Sequence, residues 1–334
     1  MKKNILFSFS IFLLLFFGCK KTSDQFEGPD LNDLYGSFQV METFKCSADS
    51  VNFSIGQQAY FTAQTSKMVD WEIHIKGLSS GAEKIITGKS KSIDISNSLW
   101  NGSTTTLPMF RAEWCAIKLI FPTEQDTLYD SVKVIAPKIN SGYLITDFES
   151  GPNSGWTSFI QSGANMSFQI SGTTPVPQGT KYYNMAGTVN WDWLIGLIEF
   201  PSTANGNAHF PLGTNPNNEY FNVMVWGEPG ITNALVLFQF REDENNNGTF
   251  ESASEDEYDY ELPVNWTGWK LISVKYSDLV TLVNGAPAMP KGNKIHNPDK
   301  LMKVSVLHLA NPSTGFSKTK MDYLIFTQNG PLQP

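Results

Sequence analysis

Much of what a catalytic chain needs is missing here. The 4 histidines (His74, His209, His296 and His308) are scattered, and no His-Glu-x-x-His pair exists to hold a hydrolytic zinc. A glycine-rich loop of the phosphate-cradling kind is absent. Basic charge is scarce, with 24 Lys and Arg against 32 Asp and Glu and a net charge of −8. No basic stripe is available to neutralise phosphates, so a nucleic-acid partner is excluded, whereas a neutral polymer is not. Beyond residue 17 there is neither an apolar run of membrane-spanning length nor sustained helical periodicity.

The first residues carry an export address. Lys2 and Lys3 are followed by the apolar run Ile5 to Phe17 and then by Gly18-Cys19. Positive start, apolar middle and small residue at the cut predict a secretory signal over residues 1–18. The run is shorter than the roughly 20 apolar residues a permanent span requires. Phe16-Phe17-Gly18-Cys19 resembles a bacterial lipobox, with Phe where Leu and a small residue are usual. That resemblance implies cleavage before Cys19 and lipid on its thiol and amine, a membrane attachment through acyl chains only. Residues 19–35 are polar and read as a flexible tether. Within it, Ser23-Asp24-Gln25-Phe26-Glu27 resembles the acidic surface-export signal of glycan-scavenging Gram-negative bacteria. It implies an outer-membrane protein facing the cell exterior.

The remaining chain predicts an all-β protein of two sandwiches. Short β-rich runs recur between Gly, Asn, Ser and Pro, and textures change near Pro137-Lys138-Ile139-Asn140-Ser141-Gly142. In residues 36–138, strands are expected at Ala59 to Thr65, Val69 to Ile75, Arg111 to Phe121 and Ser131 to Ile135. Cys115, Ile117, Leu119 and Phe121 share one face by alternation, with Glu113 the exception at the strand start. This segment is similar to the immunoglobulin-like spacers of surface glycan-binding lipoproteins. Cys46 precedes the second strand, so the antibody-type pairing is not carried over; Cys46 and Cys115 are either a disulfide or two buried thiols. In residues 139–334, strands are expected at Trp191 to Phe200, Phe221 to Trp226, Leu235 to Arg241 and Trp269 to Lys275, a pattern of the jelly-roll kind. The opening Asp147-Phe148-Glu149 and the closing Asp322-Tyr323-Leu324-Ile325-Phe326 resemble the first and last strands of galactose-binding-like jelly rolls, the family of many carbohydrate-binding modules.

Two cation sites are candidates. Asp243, Asn245 and Asn247 place oxygen side chains at alternate positions before Gly248, as a calcium loop does, although Ser254 stands where a closing Glu is expected. The other reading is a solvated acidic turn. The jelly-roll resemblance implies a structural calcium between Asp147, Glu149 and Asp322. Aromatic residues supply the binding candidates, because sugar C–H faces pack on flat rings while hydroxyls need polar neighbours. Trp156, Trp191, Trp226, Trp266 and Tyr220 are chosen on that ground, Trp156 and Trp266 as the more exposed; Trp269 is assigned to the core, together with at least one of Trp191 and Trp193. Carboxylate pairs for glycoside hydrolysis, Asp192 with Glu199 or Glu228, are also present. The preferred reading is a non-catalytic surface lipoprotein that binds polysaccharide or oligosaccharide; the resemblance to surface glycan-binding lipoproteins implies an outer-membrane importer that receives it. Its rivals are an adhesive protein that contacts another protein, and a glycoside hydrolase.

Overall fold

A computed structural model describes residues 36–124, 126–189, 194–310 and 315–334. Cys19, the signal, the tether with Ser23 to Glu27, and Trp191, Asp192 and Trp193 lie outside the described residues.

Alternating apolar and polar side chains make strands throughout, and the chain is all-β. The first unit contains β1 (Val40–Cys46), β2 (Ser50–Asn52), β3 (Phe61–Gly77), β4 (Glu83–Ile93), β5 (Glu113–Ile120) and β6 (Thr127–Ala136). They form one continuous sheet in the order β1-β3-β5-β6-β2, with β4 added to β3. The long β3 changes register between Gln64 and Val69, and β1 also lies against β6, so the sheet folds round its own core. That core holds Trp71 and Trp100, the latter edge-on to Phe53 and Phe110.

The sheet order corrects the disulfide option. Cys46 pairs with Phe61 and Cys115 with Gly77, the two opposite ends of β3. Both thiols are free. Cys115 is fully buried, and burial, helped by the Glu113 charge, pushes its thiol up to about 12.

The second unit is a sandwich. Its strands are β7 (Tyr143–Thr146), β8 (Thr157–Ile160), β9 (Asn165–Ser171), β10 (Tyr182–Val189), β11 (Leu194–Pro201), β12 (Glu219–Gly227), β13 (Ala234–Glu242), β14 (Glu257–Val264), β15 (Gly268–Lys275), the short pair β16 (Leu282–Val283) and β17 (Ala286–Pro287), β18 (Leu301–Ala310) and β19 (Gly315–Gln328). One sheet runs β15-β12-β19-β10-β9 with β7 on β19; the other runs β14-β13-β18-β11-β8. Every pairing in both is antiparallel. Their inner faces meet in a core that includes Phe148, Phe200, Phe221, Phe238, Phe240 and Phe326.

The units touch over the outer face of the six-stranded sheet. Leu107 and Met109 pack on Met224, Tyr323, Ile325 and Leu332. Backbone bonds run from Met109 N to Pro177 O (2.7 Å) and from Thr104 N to Pro334 O (2.9 Å). This contact covers one sheet face. The outer face of the five-stranded sheet has no such cover from the first unit's 104–111 segment.

Candidate functional site

The aromatic candidates do not form one cluster. Tyr220 and Trp226 point to the same face of β12 but sit at its opposite ends, about 20 Å apart at strand rise. Trp226 is half-buried; its indole N–H donates to Glu228 Oε2 (2.8 Å), and Lys320 Nζ lies 4.6 Å from its ring centroid. Trp266 packs on the sandwich core, donates to Gly268 O (3.0 Å) and has Lys270 Nζ 4.7 Å from its ring centroid. Its turn position therefore does not free it. Trp269 is not in the sandwich core: β15 is an edge strand, and the ring points outward against Tyr182 and Trp226, near the joint between the units.

Trp156 is different. It precedes β8 in a turn held by Asn153, whose Oδ1 accepts from Gly155 N (2.8 Å) and whose Nδ2 donates to Ala204 O (3.0 Å). The ring is set edge-on against Phe148 and Phe200, with centroids 5.7 and 5.1 Å away. Among the described tryptophans of the second unit, it alone has an indole N–H without a protein acceptor.

Two clefts meet at this ring. One, of about 500 Å³, opens between the edge strands β8 and β9 and is lined by Trp156, Phe168, Tyr183 and Ile198 with Ser158 and Gln169 at its rim. The other, about 510 Å³, runs past Tyr143, Asp147, Asn205 and Asn207. Both share Pro152 and Asn153. Apolar floor, aromatic wall and amide or hydroxyl rim are what a small polar ligand with apolar faces requires.

The first cleft adjoins the outer face of the five-stranded sheet through Thr157. Register places Phe159, Leu197, Leu307 and Leu237 in one row across four strands, and Thr157, Glu199, Ser305 and Gln239 in the next. Glu199 accepts from Thr157 (2.8 Å), Arg241 (2.9 Å), Lys303 (3.2 Å) and Ser305 (3.2 Å). Burial works against its charge, but the Thr157 and Lys303 bonds and the Lys303 and Arg241 charges outweigh it and hold the carboxyl below its ordinary value. Glu228 is likewise buried in part, yet lowered by Lys318, Trp226 and Lys320. Each is held as a carboxylate, which does not suit a general acid that must start protonated. Asp192, the proposed partner of either, falls outside the described residues.

The predicted cation ligands are placed otherwise than expected. Asp243 is buried, and its oxygens accept from Asn247 N (3.0 Å) and Gly248 N (2.9 Å) and face His209 Nε2 (3.1 Å). Asn245 Oδ1 and Asn247 Oδ1 accept the amides of Asn247 and Thr249, and both side-chain amides donate to Glu251. Their oxygens make the turn instead of converging on a cation. For the second trio, Gln178 Nε2 donates to both oxygens of Asp322 (3.3 Å each) and to Asp147 O (3.2 Å). Glu149 is spent on Thr180 and on the amide of Lys181. With an N–H donor facing the Asp322 carboxylate, this trio does not fit a cation as placed. Burial, eased by Gln178 and the Tyr323 amide, then sharpened by Glu149 and Asp147, raises the Asp322 carboxyl well above its usual range. Acidic residues that do converge, Glu242, Glu244 and Asp256, were not picked out by spacing.

No family model matches the chain, and no curated protein matches it. Among solved structures, it is similar to the family 11 carbohydrate-binding module from Clostridium thermocellum in complex with a β-1,3-1,4-mixed-linked tetrasaccharide, at 17% identity over 59% of this chain and 99% of the other, with a TM-score of 0.39. It is also similar to SGBP-B from a complex xyloglucan utilization locus in Bacteroides uniformis, at 12% identity over 87% of this chain and 73% of the other, with a TM-score of 0.35. The CBM22-1 xylan-binding domain of Paenibacillus barcinonensis Xyn10C matches at 12% identity over 57% and 97%, with a TM-score of 0.33. TM-scores below 0.5 mark a loose likeness.

Proposed function

We propose that the chain is a lipid-anchored outer-membrane protein that binds polysaccharide or oligosaccharide without cleaving it and supports glycan capture and uptake. The single observation behind this reading is Trp156, an indole with an uncommitted N–H standing between two clefts whose rims carry Asn153, Ser158, Gln169, Asn205 and Asn207. A sugar ring needs an aromatic wall for its C–H face and amide or hydroxyl partners for its edge, and the groove offers both. Attachment through Cys19 belongs to the same proposal and rests on the N-terminal sequence, whereas delivery to an outer-membrane importer rests on the resemblance to surface glycan-binding lipoproteins alone.

Affinity electrophoresis of the purified chain through gels containing neutral polysaccharides tests it. The expected result is retardation by at least one glucan or xylan. Trp156→Ala should abolish that retardation, and Gln169→Ala should weaken it while leaving the melting temperature in place, as surface substitutions do. Unchanged migration across the panel, with capture of a protein in its stead, would establish the adhesive reading. Release of reducing ends would establish the hydrolase.

A further inference from the structure

Strand β13 ends at Glu242, and β14 begins at Glu257 after a loop that doubles back on itself. Glu242, Glu244 and Asp256 thereby bring carboxylate oxygens within 4.8 Å of one another. Glu242 and Asp256 are fully buried (0% exposed) and Glu244 is half-buried. Like charges this close in a dry site need a counter-charge. Among the described residues no Lys, Arg or His forms an ion pair with any of the three. Of the basic side chains around the loop, Lys291 donates to Ser252 O (3.0 Å), Lys300 donates to Asn246 Oδ1 (2.7 Å) and His209 faces Asp243.

Backbone amides approach from one side. Asp256 accepts from Gly292 N and Lys294 N at 2.6 Å each, and Glu244 from Asn293 N at 3.1 Å. The approach is tight: a Cβ on Gly292 would lie 2.5 Å from Glu244 Oε1 and would push that carboxylate aside. Glu242 Oε1 takes Tyr276 OH (2.9 Å) and Asn297 N (2.8 Å). Its Oε2 is buried with no donor among the described residues. With Oε1 turned to Tyr276 and Asn297, the unpartnered oxygen is the one left for the other two carboxylates. An all-oxygen set of three carboxylates, one at the end of β13 and two on the irregular loop after it, suits a hard, geometrically tolerant divalent cation.

We propose that Glu242, Glu244 and Asp256 bind a calcium ion that holds the two ends of the 243–256 loop together. Asp243, between Glu242 and Glu244 in the chain, faces His209 and the amides of Asn247 and Gly248 instead. The ion supplies the positive charge that the site's amides only partly provide, and it takes the lone pairs the amides leave open.

Calorimetric titration of the purified chain with CaCl₂, and melting curves in calcium against EDTA, test this. The expected result is a single site and a melting temperature several degrees higher in calcium. Glu242→Gln keeps the shape and the Tyr276 and Asn297 bonds but removes a charge. It should melt in EDTA at or above the parent's EDTA value and no longer respond to calcium. Asp256→Asn should lose the response too, and Glu149→Gln should keep it. Identical parent curves in calcium and EDTA would overturn the proposal, because the carboxyls would then be held by protons alone. So would a full calcium response in Glu242→Gln, or loss of the response in Glu149→Gln.

Discussion

His308 shows how one side chain sets a pH limit. It lies in β18 on the inner face of the sandwich, fully buried, and neither ring nitrogen has a hydrogen-bond partner among the described residues. Burial disfavours the charged ring and pushes its pKa down to about 4. In the unfolded chain the ring protonates near its ordinary value of about 6.5. As pH falls from about 6.5 to about 4, the unfolded state therefore takes up a proton that the folded state refuses, and stability is lost over that window. The loss amounts to about 3 kcal/mol. His308→Leu should remove this share, so the difference in melting temperature between variant and parent should widen as pH drops from 7 to 4. A constant difference would show that the ring titrates normally. None of this was legible from the histidine's place in the sequence, where Leu307-His308-Leu309 marks a strand but not which face is dry. The same limit applies to the tryptophans. Turn-like surroundings suggested exposure for both Trp156 and Trp266, yet only Trp156 of the two keeps a free N–H, because Trp266 meets Gly268 O across its own turn.

At the scale of elements, strands with strict alternation were readable and polar ones were not. In β5 the buried face holds Cys115, Ile117 and Leu119, continued by Phe121, as alternation predicts. Strand β4, with Lys84, Lys89, Lys91 and three serines or threonines, has only Ile93 buried, and pattern alone gives it no inner face. It exists because it pairs along most of β3. Glu113, the exception on the β5 face, has a partner 33 and 34 positions away. Its carboxylate accepts from Ser79 N (2.7 Å), Ser80 N (2.9 Å) and Arg111 N (3.0 Å), and from the Ser79 and Ser80 hydroxyls. Those bonds fix the turn between β3 and β4. Burial opposes the charge, but the Ser80, Arg111 and Ser79 bonds win and keep the carboxyl below its usual value. Glu113→Ala would strand three backbone amides, and should cost about 2–4 kcal/mol in chemical denaturation. A cost under about 0.5 kcal/mol would mean that water replaces the carboxylate without loss.

The whole molecule departs most from the picture of a sandwich held out on an independent spacer. Composition and punctuation located a change of texture before Tyr143, but nothing local shows that Met109 will seat on Met224 and Leu332, residues far away in the chain. The seat is built from both units. Leu107 and Met109 come from the first, the outer face of the six-stranded sheet from the second, and the last residues return to bond Thr104 and Lys138. Asn140, in the connection itself, donates to Tyr323 OH (3.2 Å) within the same joint. Because the joint covers the six-stranded sheet, the groove at Trp156 and the five-stranded face beside it lie away from the first unit's 104–111 segment. Interfaces of this kind inside a chain come apart when a charge is forced into them. Met109 is 8% exposed and packs among apolar side chains, so an aspartate there would carry its charge out of water. Met109→Asp should leave each core intact, separate the units and raise the radius of gyration in small-angle X-ray scattering. Melting should change from one transition to two, since each unit then unfolds on its own. Glycan retardation in gels should persist, because Trp156 and its clefts lie within the second unit. An unchanged radius with a single transition would mean that the joint is stronger than its few side chains imply, whereas loss of glycan binding would place part of the ligand site at the joint itself.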